Sequence, residues 1–174
     1  GLVGSETCIR DSFYRFLIAY LGIWVISPKR LFAGNWKDEL WLMAGGFFGG
    51  SLYFFTENTA LGITQASNVA FIICTAPLLT TILSLLFYKS EKATKGLIYG
   101  SILALIGVGL VVFNGSFVLK LSPVGDLLTL LAALSWAFYS LVIKKMTGRY
   151  PTVFITRKIF FYGVLTILLS LIHI

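Results

Sequence analysis

Histidine, cysteine and charge are all scarce in this chain of 174 residues. One histidine, His173, and two cysteines, Cys8 and Cys74, leave almost no raw material for a zinc site or for histidine-based catalysis. No H-E-x-x-H, C-x-x-C or G-x-S-x-G run occurs, and no G-x-x-x-x-G-K-[ST] loop that would cradle a nucleotide phosphate. No metal, no cofactor and no enzymatic chemistry are therefore expected. Cys8 lies in the opening tail and Cys74 in mid-helix, so they read as inert thiols and not as a disulfide. Only 12% of the residues are charged, against about 25% in a typical soluble domain. Helices this apolar have too few polar faces to meet water, whereas lipid can cover them.

What is present is a series of long apolar stretches. Charge-free runs cover 40–56, 58–88, 96–119, 127–143 and 159–174, with a shorter one at 16–28. A spanning helix needs roughly 20 mostly apolar residues. The run at 58–88 is too long for one span and breaks at Gly62-Ile63-Thr64-Gln65. The reading is an all-α, polytopic membrane protein with six helices at 12–27, 40–58, 66–88, 96–114, 124–145 and 155–174. Lipid is the first expected partner. The net charge of +7 needs no nucleic acid to explain it, because its location does.

Basic residues alternate from loop to loop. Lys29, Arg30 and Lys37 lie in the first break, none in the second, Lys89, Lys92 and Lys95 in the third, Lys120 alone in the fourth, and Lys144, Lys145, Arg149, Arg157 and Lys158 around the fifth. Positive loops face the cytoplasm, so the first visible helix runs inward and both chain ends lie outside. Gly1 is no initiator and no apolar leader follows it, while the last helix reaches Ile174 without a polar flank. The expectation is a piece of a longer membrane protein.

Small residues recur at helical spacing. Gly45, Gly46, Gly49 and Gly50 form two overlapping G-x-x-x-G pairs, and Gly96, Gly100, Ala104 and Gly107 repeat the device on the fourth helix. Such faces let two backbones approach closely. They predict tight packing within the bundle and leave a homodimer open. Pro77 interrupts the third helix and deprives the Ile73 carbonyl of its partner, so a hinge is expected there, or else a kink repaired by the Thr80 or Thr81 hydroxyl.

Glu57-Asn58-Thr59-Ala60-Leu61-Gly62-Ile63-Thr64-Gln65-Ala66-Ser67, continuing through Ala70 to Pro77-Leu78 and Glu91, resembles the EamA-like family of the drug/metabolite transporter superfamily. So do Gly100, Ala104 and Gly107-Val108-Gly109-Leu110-Val111-Val112, followed by Gly125-Asp126, Ala132-Ala133-Leu134-Ser135-Trp136-Ala137 and Lys144. The resemblance implies about ten helices in two five-helix repeats of opposite topology. Residues 12–114 would then hold helices two to five, 115–123 the linker, and 124–174 helices six and seven, with 1–11 an unassigned outer tail. Arg15 and Tyr20 align with Arg157 and Tyr162 between the first and last helices, as a faint trace of the repeat.

Polar groups inside apolar helices are expensive and mark candidate sites. Glu57, with Tyr53 one turn before it, is either a relay in a substrate pathway or a helix-end group reaching water. Asn58 belongs to the same motif. Thr64, Asn68 and Thr75 fall on one stripe that either bonds a neighbouring helix or lines a wet cavity. Trp136, with Tyr139 beside it, either stacks on a substrate or packs. Lys144 is expected to snorkel to the surface, and Arg15 and Arg157 to act as anchors. The implied function is secondary transport of a small organic metabolite, by alternating access, across a bacterial cytoplasmic membrane. The rival is a membrane scaffold that does not transport. A midplane cavity lined by Asn68, Trp136 and Tyr139 would favour transport.

Overall fold

The computed structural model describes residues 2–26, 28, 32–88, 94–113 and 122–172, apart from the side chains of 2–12, 97, 108, 111–113 and 170–172. The loop residues Lys29, Arg30, Lys89, Glu91, Lys92 and Lys120, the side chain of Cys8, His173 and most of the 115–123 linker lie outside the described residues.

Among the described residues six helical segments run in order: α1 (Leu2–Ile26), α2 (36–63), α3 (Ala66–Phe87), α4 (Lys95–Phe113), α5 (Pro123–Thr147) and α6 (Thr152–Ile172). Three stretches, Ala66–Phe87, Pro123–Thr147 and Thr152–Leu169, are long and apolar enough to cross a membrane. Each expected helix is present, but several are longer. The tail expected at 1–11 is helical from Leu2 onward, because hydropathy reports what lipid tolerates and not where backbone hydrogen bonding starts. In α2 the helix starts at Trp36, where the Asn35 side chain accepts from the Lys37 amide and Asp38 and Glu39 fill the first turn. Carboxylates there meet the positive end of the helix dipole.

Helix α5 is the centre of the bundle. Proline opens it, Asp126 is in its first turn, Lys144 and Lys145 are in its last, and its small residues Ala132, Ala133 and Ala137 are fully buried. On one side α5 packs against α2, which in turn packs on α6, with α1 beyond; on the other it packs against α3, which carries α4. Helices α1 and α6 touch through Phe16 on Phe160 and Tyr20 on Phe161. Leu42, Val142, Met146, Ile155 and Ile159 form the main core where α2, α5 and α6 meet.

The four glycines of α2 serve two different neighbours. A Cβ on Gly45 would lie 3.0 Å from Val142 of α5, and one on Gly49 would enter the Tyr139 ring. One on Gly46 would meet the Gly163 amide of α6 at 3.0 Å, and one on Gly50 the Gly163 Cα at 3.2 Å. The packing expected of Gly96, Gly100 and Gly107 is not found: among the described residues nothing packs on them. A Cβ on any of them meets nothing within 4 Å, and Ala104 beside them is exposed. The reason is that α4 leans on α3 by another face, with Gly109 against Phe71.

Two irregularities sit in mid-helix. Residues Phe47–Leu52 make a π-helical turn in α2, which rotates the faces above it relative to those below. Ser135 of α5 donates to the Phe48 carbonyl there at 2.8 Å, and Ser51 bonds Thr166 of α6 at 2.5 Å. In α3 the helix is interrupted at Cys74 and Thr75, just ahead of Pro77. Thr80 and Thr81 do not repair the break: their hydroxyls donate to Ala76 and Pro77, whereas Thr75 turns back onto Ile72.

Candidate functional site

The π turn controls which residues of α2 face α5. In an unbroken α-helix Gly50, Tyr53 and Glu57 would share one face. Instead Gly50 packs on Phe16 and Gly163, while Tyr53 lies against Trp136 of α5, ring centroids 5.1 Å apart. The Tyr53 hydroxyl donates to Glu57 at 3.1 Å, and Trp136 touches Tyr139 with centroids 5.2 Å apart. Tyr139 is held in place because Gly49 has no side chain to displace it. One carboxylate and three aromatic rings are thus drawn together from two helices. Trp136 stays 40% exposed, so the group is open to whatever borders that face.

The other expected polar residues are elsewhere. Asn58 is half-buried in the next turns of α2. Thr64, Asn68 and Thr75 do not form one stripe, because Thr64 precedes α3 and Thr75 sits in its break. Thr64 instead packs on Gly125 at the start of α5, with its hydroxyl buried and unmatched among the described residues. Asn68 is 2% exposed. A cavity of about 440 Å³ does lie between α2, α3 and α5, but Trp41, Phe48, Phe87, Phe138, Leu141 and Lys145 are among its walls, and Asn68, Trp136 and Tyr139 are not. Lys144 does not point to the surface alone: it donates to Ser84 of α3 at 3.1 Å and lies over Tyr88. Arg157, expected as a surface anchor, is 4% exposed, over the Phe154 ring.

A charged cluster that sequence reasoning did not single out joins the start of α2 to α6 and the loop before it. Asp38 accepts from Arg149 at 2.7 Å and from the Tyr150 hydroxyl at 3.0 Å. Burial, and then the Asp38 carboxylate, hold the Tyr150 phenol above its ordinary range. Glu39 accepts from Lys158, from the Tyr162 hydroxyl and from the Ala33 amide. The available signal was two adjacent acids just ahead of the helix expected from residue 40, in a chain with only seven acidic residues. Nothing in the sequence says which bases they meet.

Among the described residues no group of three or more His, Cys, Asp or Glu could hold a metal ion. Comparison with known proteins supplies what geometry alone does not. A model of the EamA-like transporter family matches residues 7–113. An uncharacterised transporter of Bacillus subtilis is 34% identical over 131 residues, covering 72% of this chain and 41% of that protein. An uncharacterised transporter of Archaeoglobus fulgidus is 29% identical over 156 residues, covering 87% and 53% respectively. The chain thus spans about half the length of the curated relatives it matches. No solved structure gives a significant match. With long apolar helices, closely apposed glycine faces and a family model that covers more than half its length, this multi-pass membrane chain belongs to the EamA-like transporter family.

Proposed function

We propose that the chain forms the core of a secondary carrier that moves a small organic metabolite across a bacterial cytoplasmic membrane by alternating access, without a chemical step. The observation that supports this best is the group Tyr53, Glu57, Trp136 and Tyr139 on facing helices of a membrane protein. A carboxylate in an apolar span is expensive and is kept where it has work to do. A row of three rings running from it, Tyr53, Trp136 and Tyr139, suits a ligand with a positively charged amine on a small apolar body, since rings attract cations and the carboxylate complements them. Export is the proposed direction, with the basic loops toward the cytoplasm and the break before Pro77 as a hinge.

Flux into vesicles containing the full-length protein tests the reading. Glu57→Gln and Trp136→Ala should insert normally yet lose most amine uptake, and Glu57→Gln should also lose its dependence on an ion gradient. Unchanged flux in both variants would refute the site. One observation favours the rival scaffold: the apolar cavity walled by Trp41, Phe87 and Phe138 is not lined by Asn68, Trp136 or Tyr139. Correctly folded protein that moves no metabolite would support that rival.

A further inference from the structure

The charged cluster closes one end of the bundle. Glu39 and Lys158 belong to different halves of the chain, and their side chains are only 10% and 5% exposed. The Glu39 oxygens are shared among Lys158, Tyr162 and the Ala33 amide. Lys158 is further enclosed by the rings of Phe32, at 4.9 Å, and Tyr162, at 5.1 Å. Beside the pair lies the buried core of Leu42, Met146, Ile155 and Ile159, against which Ala33 and Tyr162 pack. Farther along the same seam, Gly46 and Gly50 meet Gly163 with almost no side chain between the helices. The seam between α2 and α6 therefore has an ionic clasp at its end and a smooth glycine contact near its middle.

We propose that the Glu39–Lys158 pair is a latch that holds this end of the carrier shut, and that α2 and α6 part there by pivoting on the Gly46–Gly50–Gly163 contact. The proposal rests on the carrier reading. Its physics is two-state. A buried pair is stable when dry and fully bonded, and each partner is well solvated once water enters, but a half-open, half-dry arrangement satisfies neither. The neighbouring Asp38–Arg149 pair is half open, with Asp38 7% and Arg149 55% exposed, so water already reaches the guanidinium in the closed state. Removing one member of the buried pair strands the other charge in the closed state only, so it favours opening. Removing both relieves that penalty.

Ile155, 1% exposed and one turn before Lys158 on α6, is the reporter position, and Ala60, fully buried toward the other end of α2, is the control. In full-length protein with Cys8 and Cys74 replaced by serine, Ile155→Cys should react with a maleimide at least about tenfold faster when Glu39→Gln or Lys158→Met is added. The double variant Glu39→Gln/Lys158→Met should return to the slow rate, and Ala60→Cys should stay slow throughout. An unchanged rate at position 155 in both single variants would overturn the latch. So would equal acceleration at positions 155 and 60, which would mean that the pair merely holds the fold together. Flux is measured separately: flux with labelling indifferent to the pair refutes the latch alone, while labelling that responds in a protein that moves no metabolite refutes the carrier reading alone.

Discussion

Replacing Gly46 by alanine adds one methyl group at the tightest point between α2 and α6. Built on the present backbone, that carbon would lie 2.5 Å from the Tyr162 Cβ and 3.0 Å from both the Gly163 nitrogen and the Ile159 oxygen. Carbon atoms in contact prefer about 3.5–4.0 Å, so the helices must separate by roughly 1 Å. None of the three obstacles is the free end of a flexible side chain, so neither helix can yield locally. Separation also loosens Gly50 on Gly163 and the Leu42–Ile159 core beside it. Overpacking of this kind costs about 1–3 kcal/mol, and in a membrane it acts on van der Waals contact, a main force that holds helices together. Thermal stability in detergent, followed by fluorescence-detected gel filtration, should fall for Gly46→Ala and further for Gly46→Leu. Gly100→Leu is the matched control, because its new side chain enters open space. Melting of Gly46→Ala with the wild type, or an equal loss for Gly100→Leu, would refute the reasoning.

Ser135→Ala should cost about 1–3 kcal/mol in the same assay, because the part-buried Phe48 carbonyl of the π turn loses its 2.8 Å donor; a neutral result would mean the turn satisfies itself. Gly125→Ala should also destabilise by about 1–3 kcal/mol, since its Cβ would fall 2.7 Å from that of Thr64, and an unshifted melt would contradict the described approach of α5 to the α2–α3 connection. Cysteines at the exposed positions Gln65 and Thr94 should label from opposite sides of the membrane, with position 94 cytoplasmic; labelling of both from one side would overturn the proposed orientation.

Much of this protein is legible in its sequence. Lipid is a uniform solvent that demands only enough apolar length and satisfied backbone groups, so charge-free runs alone place six helices and the break before Ala66. The residues around Glu57–Ser67 and Gly100–Val112 resemble the EamA-like family to which the chain belongs. Glu57, Tyr53, Trp136 and Tyr139 could be named as polar or aromatic groups in apolar helices, because their cost is a property of each residue by itself. Which helices they join could not. Composition shows that Gly46 and Gly100 are alike, yet one lies against a backbone and the other, among the described residues, against nothing, because contact depends on a second helix far away in the chain. The π turn at Phe47–Leu52 breaks the simple periodicity that put Gly50 with Tyr53, since a single extra residue in one turn rotates everything beyond it. Asp38 and Glu39 lie just ahead of the helix expected from residue 40, and the sequence marks neither as special. Only the packing of α2 on α6 brought Lys158 and Tyr162 to Glu39, and a buried charge takes its meaning from its partner.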